Sequence, residues 1–182
     1  MKTVLLDDVM SEEELYFIYK EVVNCPSWCV NSTSENTDYM SNKNYPGGPV
    51  FEVIKKSDVI TNYPMYLWGQ TLVYRIAELL KTKKIGVNKK IKRMWFISTP
   101  TGSPQHFLHR DGDQNCQSIL LFITPIWKTG WRGSFFVDGE EFKFKPGSAV
   151  IYDSQEYHTG EDPISQTYNW QRITLNIVVS DI

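Results

Sequence analysis

The sequence predicts a mainly β fold with flanking helices, a jelly roll in which two antiparallel sheets enclose one core. Three observations predict it. From residue 94 onward seven short runs of strand texture follow one another, at 94–98, 107–111, 117–124, 133–137, 141–145, 148–152 and 172–179. Turn signals separate them, Asp138-Gly139 and Pro146-Gly147 most clearly, and short strands punctuated in this way describe a sandwich or jelly roll. Helical periodicity is confined to the first ninety residues. A chain of 182 residues with 41% apolar and 14% aromatic content is expected to form a single domain, 1–182. Within it, 1–90 should supply helical support and a loop region packed on the barrel, and 91–182 the jelly-roll core.

The elements follow in order. Ser11-Glu12-Glu13-Glu14 reads as a capping box with Met10 stapling onto Leu15, and it starts a helix whose Leu15, Ile18 and Val22 share one stripe. Residues 24–63 turn to Ser, Asn, Gly and Pro mixed with aromatics and read as a long irregular connection. Such a connection is either a lid or a surface excursion tacked down by its rings. Pro64 stands where a first-turn proline would, and Leu72, Val73, Ile76, Leu79 and Leu80 then form a helical stripe ending in Lys81, Lys83, Lys84 and Gly86. Seven of the thirteen residues from 81 to 93 are basic, which reads as a solvated helix end. No internal repeat or low-complexity tract occurs.

Composition narrows the partners. A net charge of -2 and a pI near 5.9 give no global attraction to nucleic acid or anionic lipid, so nucleic acid is an improbable partner. No apolar run reaches the length of about 20 residues that a bilayer span needs, and no membrane association is expected. Cys25, Cys29 and Cys116 cannot all pair with one another and read as reduced thiols, which places the chain in the cytoplasm.

The chemistry gathers around Gln105-His106-Phe107-Leu108-His109-Arg110-Asp111 and two downstream residues, His158 and Arg172. In a strand, alternate side chains share a face about 6 to 7 Å apart, so His109 and Asp111 point the same way. His158 follows the apolar run 148–152 and can supply a third ligand from across a barrel. Two imidazoles and a carboxylate form a facial triad suited to non-haem Fe(II). His106 falls on the opposite face of a regular strand; if it bound instead, a three-histidine site like that of a zinc hydrolase would result. Arg172, Thr174 and Asn176 form the polar face of the last strand, and a buried guanidinium there requires an anion.

This HxD motif, the distal His158 47 residues after Asp111, and Arg172-x-Thr174 on the following strand resemble the Fe(II)/2-oxoglutarate-dependent oxygenases, in particular their small prolyl-4-hydroxylase-like branch. The resemblance covers about residues 94–180. It implies the double-stranded β-helix, cupin-like form of the jelly roll, with His109, Asp111 and His158 as metal ligands and catalytic centre. It also implies that Arg172, assisted by the Thr174 hydroxyl, receives the distal carboxylate of 2-oxoglutarate, with O2 as oxidant. Residues 127–136 and 146–152 resemble the family's Trp/Gly-rich turn and its strand before the distal histidine. Thr99 stands where many members carry a co-substrate-binding tyrosine, and the interval from His158 to Arg172 calls for an extended loop over 159–171. The implied activity is a hydroxylase acting on a C–H bond of a peptidyl or free prolyl side chain, with small metabolites as the alternative. A metal-binding cupin-like protein without turnover and a jelly roll with a vestigial site are the non-enzymatic readings.

Overall fold

The computed structural model describes residues 2–26, 28–30, 49–54, 59–81, 90–99, 108–111, 114–164 and 171–180. Ten strands and two helices occur among them: β1 Val4–Leu6, α1 Glu12–Val23, β2 Cys29–Val30, β3 Pro49–Ile54, α2 Tyr63–Lys81, β4 Lys90–Thr99, β5 Cys116–Phe122, β6 Phe135–Val137, β7 Glu140–Phe142, β8 Ala149–Asp153, β9 His158–Gly160 and β10 Arg172–Ser180. A single 3-10 turn, Thr129–Trp131, precedes β6. Seven strands form one antiparallel sheet in the order β1-β8-β5-β10-β4-β3-β2, and three form a second in the order β7-β6-β9. This pairing of a large and a small sheet is the expected jelly roll.

Strand parity divides the large sheet into two chemically different faces. Ile119, Leu121, Ile151, Ile173, Leu175, Ile177 and Val179 point outward into one core with α1 and α2. Leu120, Phe122, Val150 and Tyr152 point inward and pack against Phe135, Val137 and Phe142 of the small sheet. The helices therefore act as a lagging layer on one side of the large sheet, and the barrel interior lies on the other.

Local chemistry explains the supports. The Ser11 hydroxyl accepts from the Glu14 N–H while Glu14 Oε2 accepts from the Ser11 N–H, which closes the anticipated capping box and starts α1. Both Glu14 carboxylate oxygens also accept from Arg75 of α2 at 2.8 Å, so the cap ties the two helices together. Gly69 allows α2 to approach β4 closely, because a Cβ there would collide with the Met94 side chain. Val9 and Met10 both donate to the Gly147 carbonyl, at 2.9 and 3.3 Å, anchoring the N-terminal segment to the turn before β8.

Several expectations require correction. The connection 24–63 is not wholly irregular: it contains β2 and β3, and β3 extends the large sheet beside β4. The proposed lid falls mostly on 31–48, outside the described residues. Leu79 stays largely exposed, and Ala77 takes its place in the buried stripe of α2. The strand expected at 133–137 starts only at Phe135, because Arg132 and Gly133 both adopt positive φ, 58° and 87°. Of the strand expected at 107–111, residues 108–111 are described and pair through one bridge, His109 to His158. Lys90, Lys92 and Arg93, counted in the basic run, belong to β4 rather than to a solvated helix end, with Arg93 on its inner face; 82–89 lies outside the described residues.

Candidate active site

His109, Asp111 and His158 meet at one end of the barrel. Reciprocal backbone hydrogen bonds join His109 and His158, 3.0 Å from the His109 N–H and 2.9 Å from the His158 N–H. In an antiparallel pair such residues place their side chains on the same face, and the two rings lie with centroids 4.3 Å apart. The Asp111 N–H donates to the Ser154 carbonyl at 3.1 Å, which fixes the segment two residues further on. His158 Nε2 then lies 3.6 Å from Asp111 Oδ1, and the three ligating atoms all fall within 4.8 Å of one another.

This donor set fits a divalent transition metal. Two ligands at about 2.1 Å from one ion stand at most about 4.2 Å apart, so a contraction of the set by about 1 to 2 Å would close it around an ion. His158 Nδ1 lies 3.1 Å from the Glu156 carbonyl, an acceptor, so its proton belongs on Nδ1 and the Nε2 lone pair faces Asp111. Burial, with His109 acting in the same direction, holds the His158 imidazole below its ordinary range against the pull of Asp111. A neutral imidazole is the form that ligates.

A polar belt that sequence reading did not anticipate supports Asp111. The Ser118 hydroxyl donates to Asp111 Oδ2, and its oxygen lies 2.9 Å from that of Ser154. Tyr152, opposite Ser118 in the β5–β8 register, is fully buried. Burial first, and the Asp111 charge next, raise its phenol well above the ordinary range, so it remains a protonated group beside the carboxylate. Tyr152 also packs on His158 with centroids 5.0 Å apart, and Phe135 lies on the same imidazole at 5.6 Å. The parity of the strand before the distal histidine was the available signal for Tyr152, since Val150 and Tyr152 alternate with the helix-facing Ala149 and Ile151.

Arg172 opens β10 at the other end of the interior. It is buried at 3% exposure. Its Nε donates to the Gly133 carbonyl at 3.0 Å and its Nη1 to Thr99 Oγ1 at 3.2 Å, and Phe144 lies under the guanidinium at 5.7 Å. Nη2 has no hydrogen-bond partner. Burial pushes this guanidinium down to about 10, opposed by Asp162 and Glu161, so it remains charged at neutral pH. A Cβ on Gly133 would come within 3.0 Å of Arg172 Nε and of Trp127, so the positive-φ glycine leaves the space the guanidinium occupies. Glu161 Oε2 accepts from the Gly133 and Ser134 N–H groups and holds that turn, with Arg132 nearby at 3.7 Å. Thr174 is buried on the same face, next along β10.

The expected loop over 159–171 thus begins as β9, and its Pro163 bridges to Arg132; 165–170 lies outside the described residues, as do His106 and the rest of 101–107. Trp131 is a packing residue, edge-on to Trp127 at 5.3 Å. Among the described residues no helix is long and apolar enough to cross a membrane.

No protein-family model matches the sequence. No curated protein matches it significantly. Solved structures do. The viral collagen prolyl hydroxylase of Paramecium Bursaria Chlorella virus-1, in its 2-oxoglutarate complex, is similar over 100% of this chain and 97% of its own, with 12% identity and a TM-score of 0.63. A Pseudomonas putida prolyl-4-hydroxylase is similar over 99% and 92%, with 13% identity and a TM-score of 0.65. The epimerase SnoN, in complex with Fe3+, alpha ketoglutarate and nogalamycin RO, is similar over 98% and 78%, with 8% identity and a TM-score of 0.68. At such identities the likeness establishes architecture: the chain has the double-stranded β-helix fold seen in Fe(II)/2-oxoglutarate oxygenases, prolyl hydroxylases among them.

Proposed function

We propose that this protein is an Fe(II)- and 2-oxoglutarate-dependent oxygenase that hydroxylates a C–H bond. The observation that carries the reading is Arg172 Nη2, a buried guanidinium nitrogen without a partner in a barrel whose other end gathers two histidines and an aspartate. Asp162 and Glu161 only partly oppose the cost of burying this guanidinium, and a diacid spanning from a metal to its unpaired Nη2 would offset the remainder.

In this reading His109, Asp111 and His158 would hold the iron, two histidines and one carboxylate being the donor set suited to non-haem Fe(II) oxygen chemistry. Bound iron and 2-oxoglutarate would couple O2 reduction to decarboxylation of the co-substrate, giving succinate and CO2 while one oxygen atom enters the substrate C–H bond. Arg172 orients the diacid by pairing with its distal carboxylate, with Thr174 adding a hydroxyl and Thr99 keeping the guanidinium in plane. Ser118 and Ser154 fix the rotamer of Asp111. Tyr152 and Phe135 exclude water from the His158 side and keep that imidazole neutral.

The substrate is a peptide or a small molecule. The prolyl hydroxylases among the similar structures support a prolyl or other peptidyl side chain, and SnoN supports a small-molecule alternative. The free thiols Cys25 and Cys116 suit a cytoplasmic location. The test is succinate formation from 2-oxoglutarate by the Fe(II)-loaded protein, with prolyl peptides or small acids added. The expected result is Fe(II)-dependent turnover that disappears in His158→Ala along with the bound iron. Turnover retained in that variant would refute the assignment, and a protein that binds metal but gives no 2-oxoglutarate-dependent stabilisation would be a cupin-like binder instead.

A further inference from the structure

Arg93, Trp95, Asn176 and Val178 lie together on the inner face of the large sheet. The β4–β10 register pairs Arg93 with Val178 and Trp95 with Asn176, and directly opposed residues in antiparallel strands share a face. Arg93 Cζ stacks 4.3 Å over the Trp95 ring. Arg93 Nε and Asn176 Nδ2 are both buried and have no hydrogen-bond partner. Trp95 and Asn176 are themselves buried, at 8% and 9% exposure, on a floor of Val50, Cys116 and Val178. Glu52, across from Trp95 on β3, shares the face and has interactions of its own.

Two unpaired donors held on either side of an indole, one of them on a guanidinium, describe a receptor for an acceptor-rich anion. Its position says which anion. Val178 faces Arg93 on one side and Ser118 on the other, and Ser118 holds the Asp111 carboxylate. With strands about 4.8 Å apart, Arg93 therefore starts about 10 Å from Ser118 across the sheet. Arg172 lies six residues further along β10, about 20 Å of extended strand away from Val178. The two guanidinia thus start at separate ends of the interior, with Asp111, through Ser118, at the register level of Arg93, so the distal carboxylate that pairs with Arg172 is not the anion for Arg93.

We infer that Arg93 and Asn176, braced by Trp95, bind a carboxylate of the primary substrate, so that this protein acts on an anionic substrate. The inference rests on the oxygenase reading above, because only that reading assigns the Arg172 end to the co-substrate. A peptide would present an acidic side chain or a free C-terminus to the patch, and a small molecule its own acid group; the shared chemistry is a carboxylate within reach of the metal centre.

The test uses the full chain loaded with Zn(II), which is diamagnetic, and follows the Arg Nε–H and Trp indole N–H resonances in nitrogen-15 NMR spectra. Addition of 2-oxoglutarate should move the Arg172 signal and leave Arg93 in place. Acetate and N-acetyl-L-proline, each compared with its uncharged amide in the 2-oxoglutarate-loaded protein, should then move the Arg93 and Trp95 signals, with N-acetyl-L-proline binding ~10-fold or more tightly than its amide. Arg93→Met and, independently, Asn176→Leu should narrow that ratio while the affinity for 2-oxoglutarate stays the same. Equal response to acid and amide, no response to either, or a shift of Arg93 on addition of 2-oxoglutarate alone overturns the inference. Failure of 2-oxoglutarate to bind at all removes the oxygenase reading, and the proposal with it, and is read in the first addition. The comparison of acid with amide on the unsubstituted protein decides the matter even if both variants fail to fold.

Discussion

The two faces of β10 are equally buried and do opposite work. Ile173, Leu175, Ile177 and Val179 face the helices and are apolar without exception. Arg172, Thr174, Asn176, Val178 and Ser180 face the interior, and three of these five carry a buried polar atom with no partner. Natural cores leave few such groups, and the two proposed ligands would satisfy those of Arg172 and Asn176. Burial alone therefore does not identify the stabilising part of a strand; satisfaction of its polar atoms does.

Three substitutions sharpen that contrast. Arg172→Met should have the largest effect on ligand binding, a loss on the order of 2–5 kcal/mol in 2-oxoglutarate affinity as read by the shift in melting temperature with the co-substrate and Zn(II) present. An unchanged shift would mean that the guanidinium does not meet the diacid. Leu175→Ala on the opposite face should act in the other way. The side chain is fully buried between Phe96 and Leu121 in register, so chemical denaturation should show a loss of about 2–5 kcal/mol with 2-oxoglutarate affinity preserved. A variant that lost affinity instead of stability would erase the division of labour.

The smallest effect concerns the helix layer behind the outer face. The Arg75 hydrogen bonds lower the Glu14 carboxyl from its ordinary value of 4.5, burial opposing. A carboxyl whose folded value is depressed contributes stability above the unfolded value, and that contribution disappears as pH falls from about 4.5 through the lower folded value. Glu14→Gln should therefore cost about 0.5–1 kcal/mol at neutral pH, given the partial exposure of the pair, and the gap from the unsubstituted protein should close in acid. A gap that is constant with pH would assign the loss to the capping geometry rather than to charge.

The legible parts of the molecule are those whose residues have few other uses. A histidine and an aspartate two apart, a second histidine after a buried run and an arginine heading an apolar strand are chemically conspicuous, and the structure brings the first three together and turns the fourth inward. Strand alternation likewise announced both faces of β10. Ser118 and Ser154 gave no signal, because a serine near a strand end serves many purposes and only the fold reveals the carboxylate beside it. β1 was missed because three residues flanked by Asp7 and Asp8 have too little length to show a period. β3 was missed because the proline- and glycine-rich stretch before it masks the start of a run that only pairing with β4 reveals. Arg93 was grouped with its basic neighbours in sequence, whereas in space its guanidinium stacks on the Trp95 indole.

The anchoring of Val9 and Met10 to the Gly147 carbonyl has a consequence for handling this protein. β1 covers the outer edge of β8, and β8 ends beside Asp111 through Tyr152. An affinity tag or truncation that peels the first ten residues away would uncover an open sheet margin, inviting self-association, and would loosen the backing of the Asp111 carboxylate by way of a strand far from it in sequence.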